Sequence, residues 1–76
     1  MNKQRRAAIA AQVTAIDDAK TELETIRDEE QEYYDNMPES IQAGDKGDTA
    51  TRAVEALDEA VTACDDALNA LSNLEL

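Results

Sequence analysis

The second half of the chain carries an uninterrupted heptad pattern, and this feature limits the possible folds more than any other. One core position of the repeat holds Val54, Val61 and Leu68, and the other holds Leu57, Cys64 and Leu71. Apolar residues at this spacing form a stripe along one face of an α-helix. The pattern therefore predicts a helix over about residues 48–74, with Asp48 as its N-cap.

Alanines widen the apolar stripe of this helix. Ala53, Ala60 and Ala67 flank it directly, and Ala56, Ala63 and Ala70 lie just beyond. The low-polarity arc then covers about half of the circumference, so the helix is expected to contact more than one neighbour. The opposite side is polar and is expected to face water or a basic partner; it holds Glu55, Asp58, Glu59, Asp65, Asp66 and Asn69.

The first half predicts a second helix, over about residues 3–35, and a short connection over residues 36–47. Apolar residues of the first helix recur at helical spacings without Pro or Gly: Ile9, Val13, Ile16, Ala19, Leu23, Ile26 and Tyr33. Pro38 suits the first turn of a short helical segment, capped by Asn36 or Met37, and Gly44 and Gly47 suit a turn. A connection this short predicts an antiparallel hairpin.

The size of the chain predicts one domain, residues 1–76, that associates with copies of itself. Much of its 42% hydrophobic content is alanine, and Tyr33 and Tyr34 are the only aromatic residues. A core built from such small side chains is thin, and small scaffolds without disulfides gain stability by association. We expect an all-α hairpin that forms a four-helix bundle dimer or larger oligomer. The expected interface comprises Ile9, Val13, Ile16, Leu23, Val54, Leu57, Val61, Leu68 and Leu71.

The residue types of the chain exclude most catalytic and metal chemistry. Cys64 is the single cysteine and there is no histidine. Internal disulfides, zinc sites with thiolate or imidazole ligands, and catalysis with a histidine base are therefore excluded. We predict no enzymatic activity, no cofactor and no metal. A soluble protein in a reducing cytoplasm is expected, because the chain has one cysteine and no run approaches the ~18 apolar residues of a membrane span.

Charge is separated along the chain. The first 16 residues hold Lys3, Arg5 and Arg6 and no acid, whereas the other 60 hold all 18 acids against four basic residues. Cations thus occupy the N-terminus of the first helix and acids its C-terminus, which is the unfavourable order for the helix dipole. An arrangement that breaks a local rule repeatedly marks a candidate functional surface.

The acidic end of the first helix is the candidate partner-binding surface. Its predicted residues are Asp28, Glu29, Glu30, Tyr34, Asp35, Met37 and Glu39. Since adjacent helical residues point about 100° apart, one tyrosine of the pair can cap the core while the other stays exposed. The alternative interpretation is a solvated surface that keeps the protein from aggregating. Direct binding to nucleic acid is not expected, since only three cations cluster. Membrane binding is not expected either, because the apolar residues beside those cations are too small for much insertion.

One segment of the chain resembles a known group of proteins. The run Asp35-Asn36-Met37-Pro38-Glu39-Ser40 follows an acidic helix end and a tyrosine, and an acidic, alanine-rich helix comes after it. This arrangement resembles short uncharacterised phage and prophage helical-hairpin proteins over residues 23–60. The turn before the second helix departs from theirs, since residues 43–48 read AGDKGD where they carry a Glu-rich turn.

The resemblance implies an accessory protein that acts inside a bacterium, without supplying an activity. We expect it to bind a host protein and so to modulate a host process or a defence system. Two alternatives remain open. The acids imitate phosphates and occlude a DNA- or RNA-binding site of a host protein, or the chain is a structural or small-ligand-binding helical oligomer.

Overall fold

The computed structural model describes residues 1–74, and all of their regular secondary structure is helical. Helix α1 spans Lys3–Asp35, α2 spans Glu39–Gln42 and α3 spans Asp45–Ser72. The long helices α1 and α3 pack against each other in opposite directions, which confirms the predicted hairpin. The molecule is a rod of 58 × 15 × 13 Å.

Helix α1 has the predicted bounds, and local hydrogen bonds set both of its ends. The side chain of Asn2 accepts a hydrogen bond from the backbone amide of Arg5 at 2.8 Å, so Asn2 is the N-cap. At the other end, the amide of Met37 donates to the carbonyl of Tyr34 at 3.0 Å. Pro38 follows and cannot continue the helix, because its ring occupies the position of an amide donor.

The predicted N-caps of the two later helices are wrong by one to four residues. Pro38 is itself the N-cap of α2, and Gly44 is the N-cap of α3, in an extended conformation with φ −98° and no side-chain cap. Asp48 therefore lies inside the first turn of α3, where its carboxylate pairs with Arg52 at 3.0 Å. The helix ends at Ser72 rather than at residue 74.

Gly47 does not form a turn, contrary to the prediction from the sequence. It is a buried residue of the first turn of α3, and no residue from 1 to 74 has a positive φ. A Cβ atom on Gly47 would lie 2.6 Å from Cα of Gln42 and closer still to its carbonyl group. Glycine is required there because the backbones of α2 and α3 approach each other closely.

The core is as thin as the composition predicts. In the described part of the chain, Ala50 and Val61 are the only buried hydrophobic residues, with exposures of 1% and 8%. The rest of the apolar stripe on α3 is half-buried against α1. Val61, which is on the expected oligomer interface, thus packs inside a single chain, between its own two helices.

Ion pairs across one side of the hairpin define the antiparallel register. Nζ of Lys20 lies 2.6 Å from Oδ1 of Asp65, and Nη1 of Arg27 lies 3.1 Å from Oδ1 of Asp58. The two pairs are seven residues apart on each helix. One face of α1 therefore contacts one face of α3 at two successive heptads. Asp58 and Asp65 therefore contact α1, rather than facing only water or a basic partner as their sequence positions predict.

Candidate protein-binding tip

The closed end of the hairpin gathers most of the charge asymmetry of the chain. Residues 28–48, here called the acidic tip, hold eight acids against Lys46 alone, a net charge of −7. The tip contains the last two turns of α1, all of α2 and the first turn of α3. One continuous stretch of the sequence thus folds into one strongly negative surface.

Hydrogen bonds give the tip a defined shape. Nε2 of Gln42 donates to the backbone carbonyl of Tyr34 at 2.9 Å, which ties α2 to the last turn of α1. Oγ1 of Thr51 donates to the carbonyl of Gly47 at 2.9 Å, beside the contact between α2 and α3. The first of these bonds joins α2 to α1 and the second lies within α3, so a partner would meet a surface that is largely formed in advance.

The carboxylates of the predicted site differ in their local partners. Asp28 accepts hydrogen bonds from Arg27 at 3.2 and 3.3 Å, and Asp35 accepts one from Gln31 at 2.9 Å. Glu29 and Glu39 are exposed, and no cation of residues 1–74 lies within 4 Å of their carboxylates. These two side chains are therefore accessible to a basic partner.

The apolar side chains of the predicted site pack largely against the protein itself. Tyr34 and Met37 are half-buried, and Tyr34 lines a cleft of about 230 Å³ with Thr51 and Val54 of α3. Tyr33, which its helical spacing assigns to the apolar face of the first helix, is instead 52% exposed. The positions of the two tyrosines are therefore the reverse of their predicted roles.

Ile41 is a second exposed apolar residue of the tip, and the sequence analysis missed it. Its exposure is 41%. The signal that points to it is its place in a four-residue helix, because a single turn cannot cover all of its side chains. Tyr33 and Ile41 are thus large apolar side chains held in water within the acidic tip.

A small cavity on one side of the tip is lined by residues of both α1 and α3. It has a volume of about 210 Å³ and is lined by Glu30, Tyr33, Asp45, Lys46, Thr49 and Ala50. The C-terminal turns of α1 therefore lie beside the N-terminal turn of α3. The positive end of the α3 dipole offsets the negative end of α1, so the charge order of α1 is less unfavourable in the hairpin than in an isolated helix.

Asp58 and Asp65, in the middle of the rod, are paired with basic residues of α1. The hydrogen bond to Asp65 raises the pKa of Lys20 above its ordinary value, and the charges of Asp65 and Glu24 add to this effect. The hydrogen bond to Asp28 does the same for Arg27, whose pKa is also raised by Asp58. Both cations thus form ion pairs that join α1 to α3.

The open end of the hairpin is apolar by contrast. A groove of about 540 Å³ lies between the start of α1 and the end of α3, lined mainly by Ile9, Val13, Leu68, Leu71 and Leu74. Four of these five residues belong to the expected oligomer interface. Beyond the groove, residues 1–8 are exposed and include Lys3, Arg5 and Arg6.

Comparison with family models, curated proteins and solved structures finds no match for this chain. Within residues 1–74, no group of three or more potential metal-ligating side chains is assembled. Over the same residues, no helix has the length and apolar character needed to cross a membrane.

Proposed function

We propose that this chain is a non-enzymatic accessory protein of phage or prophage origin that binds a basic host protein through its acidic tip. Its action in the cytoplasm of a bacterial cell would modulate a host process or a defence system. One observation carries the proposal. Two large apolar side chains, Tyr33 and Ile41, are exposed within a surface of net charge −7.

This combination favours recognition over mere solubility. A surface that only prevents aggregation needs charge and no exposed large apolar residues. Protein interfaces instead combine aromatic or aliphatic anchors with a polar rim, and complementary charge speeds the encounter. In the tip, Tyr33 and Ile41 are the anchors, and Glu29, Glu32 and Glu39 supply the negative rim.

We also infer that the working unit is a four-helix bundle made of two hairpins. The single chain buries only Ala50 and Val61 among its described hydrophobic residues. A two-helix unit with so small a core is marginal by itself, and pairing removes a further apolar face from water. The acidic tip remains available in such a bundle because it lies at the end of the rod.

Affinity capture from bacterial lysate tests the binding proposal. The tagged protein is compared with a tip variant, Glu29→Gln/Glu32→Gln/Glu39→Gln. A matched control, Asp18→Asn/Glu59→Gln/Asp66→Asn, removes the same charge from the body of the rod. We expect a stoichiometric basic protein that the wild type and the control retain and the tip variant loses.

Other outcomes of this experiment decide between the alternatives. Equal capture by all three proteins contradicts recognition through the tip. Release of the captured protein by added DNA, with steep dependence on salt, would assign the tip to imitation of nucleic acid instead. Recovery of the tagged protein alone would favour a structural or small-ligand role.

A further inference from the structure

The two broad sides of the hairpin differ in character. One side carries the ion pairs from Lys20 to Asp65 and from Arg27 to Asp58. The other side begins at the tip cavity, where Tyr33 of α1 meets Lys46 and Thr49 of α3. Tyr33 and the ion pairs thus mark opposite sides of the rod.

Residues seven apart lie nearly above one another on a helix, so the composition of the Tyr33 side can be followed along the rod. On α1 this position holds Arg5, Gln12, Ala19, Ile26 and Tyr33, and on α3 it holds Lys46, Ala53, Ala60 and Ala67. Ile26 is 46% exposed and Tyr33 is 52% exposed. We call this surface the Ile26 side.

We propose that the Ile26 side is the surface through which two copies pair, and that the copies lie antiparallel. The acidic tip of each hairpin is then placed beside the basic first turn of the other. This inference rests on the dimer proposed above and adds its surface, its orientation and its consequence for the tip.

Charge selects the antiparallel orientation. Parallel hairpins would place two tips of net charge −7 side by side, within about one Debye length of ~8 Å, and would also place the two basic first turns together. Antiparallel hairpins place each tip beside Lys3, Arg5 and Arg6 of the second copy. Unlike charges then meet at both ends of the rod.

Side-chain size fits the same arrangement. An antiparallel pair centred midway between Ala19 and Ile26 places Ile26 against Ala19 of the second copy, so a large side chain meets a small one, which is how packed helices interdigitate. Tyr33 lies at the edge of this contact, level with Gln12, and its outer part stays available as an anchor of the tip. Counting residues from the same centre brings Arg5 level with Glu39 and Ser40 of the second copy.

The area available suits a stable dimer. The rod is 58 Å long and 15 Å wide. If about 50 Å of its length is in contact, the pairing removes on the order of 1,500 Å² of surface from water, the size of a standard specific interface. The alanines of α3 allow the two backbones to approach closely over this length.

The antiparallel dimer has a consequence for recognition. Its two acidic tips point in opposite directions, about 50 Å apart at 1.5 Å per residue. Each tip is completed by a basic turn from the other copy, so the site that a partner meets contains residues of both chains. One dimer can then engage two copies of a partner.

The test uses purified protein without any partner, so that its failure is distinct from a failure of the capture experiment. A single spin label is placed at the tip through Ser40→Cys in a Cys64→Ala background, and distances are measured by pulsed electron paramagnetic resonance. An interlabel distance of about 50 Å, with a dimer mass by sedimentation, is expected. A distance below about 25 Å shows parallel pairing and overturns the orientation.

A pair of matched variants tests the surface itself. Ile26→Ser is expected to raise the dimer dissociation constant about 30-fold, because two partly exposed isoleucines lose their burial. Ile41→Ser removes a side chain of similar exposure from outside the Ile26 side and is expected to leave the constant unchanged. Circular dichroism shows whether both variants keep their helices. A monomeric wild type, or equal effects of the two variants, overturns the proposal.

Discussion

The contact between Gly47 and Gln42 predicts that a substitution normally favourable in helices will be harmful here. Ala is better than Gly within a helix by about 1 kcal/mol, so Gly47→Ala would stabilise α3 if only helix propensity mattered. In the hairpin, however, the added Cβ atom would lie 2.5 Å from the carbonyl carbon of Gln42 and 2.6 Å from its Cα. We therefore expect Gly47→Ala to destabilise the protein.

The magnitude follows from the movement that the contact requires. Because the carbonyl oxygen of Gln42 lies closer still, restoring an ordinary separation of ~3.4 Å needs α2 and α3 to part by more than about 1 Å, and overpacking of this kind costs roughly 1–3 kcal/mol. Since the obstacle is backbone rather than a flexible side chain, the upper part of this range applies. After the gain in propensity, a net loss of about 1–2 kcal/mol remains, which lowers Tm by about 4–16 °C in a chain of this size.

Thermal unfolding followed by circular dichroism measures this effect, at one protein concentration for all variants. Gly44→Ser is the control, because its Cβ meets only the carbonyl oxygens of Ile41 and Ser40, at 3.6 and 3.7 Å, and serine is a favoured N-cap. Its Tm should equal or exceed that of the wild type. A Tm of Gly47→Ala above the wild-type value would refute the reasoning.

Three further predictions concern the tip, the ion pairs and the core. Gln42→Ala removes the hydrogen bond to the carbonyl of Tyr34 and should cost about 1 kcal/mol in chemical unfolding, with faster amide hydrogen exchange confined to the tip; unchanged exchange would contradict the role of Gln42. Because the pKa of Lys20 is raised by Asp65, its stabilising contribution is complete below the unfolded value of 10.5 and is lost as pH rises through the folded value. Lys20→Met should thus lose less stability than the wild type on alkaline titration, and parallel losses would argue against this pair. Val61→Ala, at the most central buried side chain, should lower stability by about 1–3 kcal/mol in urea unfolding; a change within ~0.5 kcal/mol would show that Val61 contributes little.

The helices were predictable because their signals are local and repeated. The heptad from Val54 to Leu71 and the absence of Pro or Gly from residues 3–35 recur over many turns, so single exceptions do not obscure them. The location of the acidic tip was predictable for the same reason. Its acids are concentrated in one stretch of sequence, and a short connection brings that stretch to one end of the hairpin.

Cap positions and side-chain exposure were less predictable, since each depends on a single residue or on a neighbour in space. The N-cap of α3 moved from Asp48 to Gly44 because a cap is set by one backbone conformation. Tyr33 and Tyr34 are adjacent and chemically identical, and a shift of one residue in the contact with α3 decides which of them is covered. Periodicity alone does not resolve a difference of this size.

The sequence by itself determined that this chain forms two long helices in a hairpin with a thin core and one strongly negative end. Periodicity and composition act along the chain, and they suffice for these properties. Only the tertiary structure decided that Gly47 is a close-contact residue, that Lys20 and Arg27 fix the register, and that Tyr33 rather than Tyr34 is exposed. Each of these depends on which atoms of α1, α2 and α3 meet, and that is settled only when the helices pack.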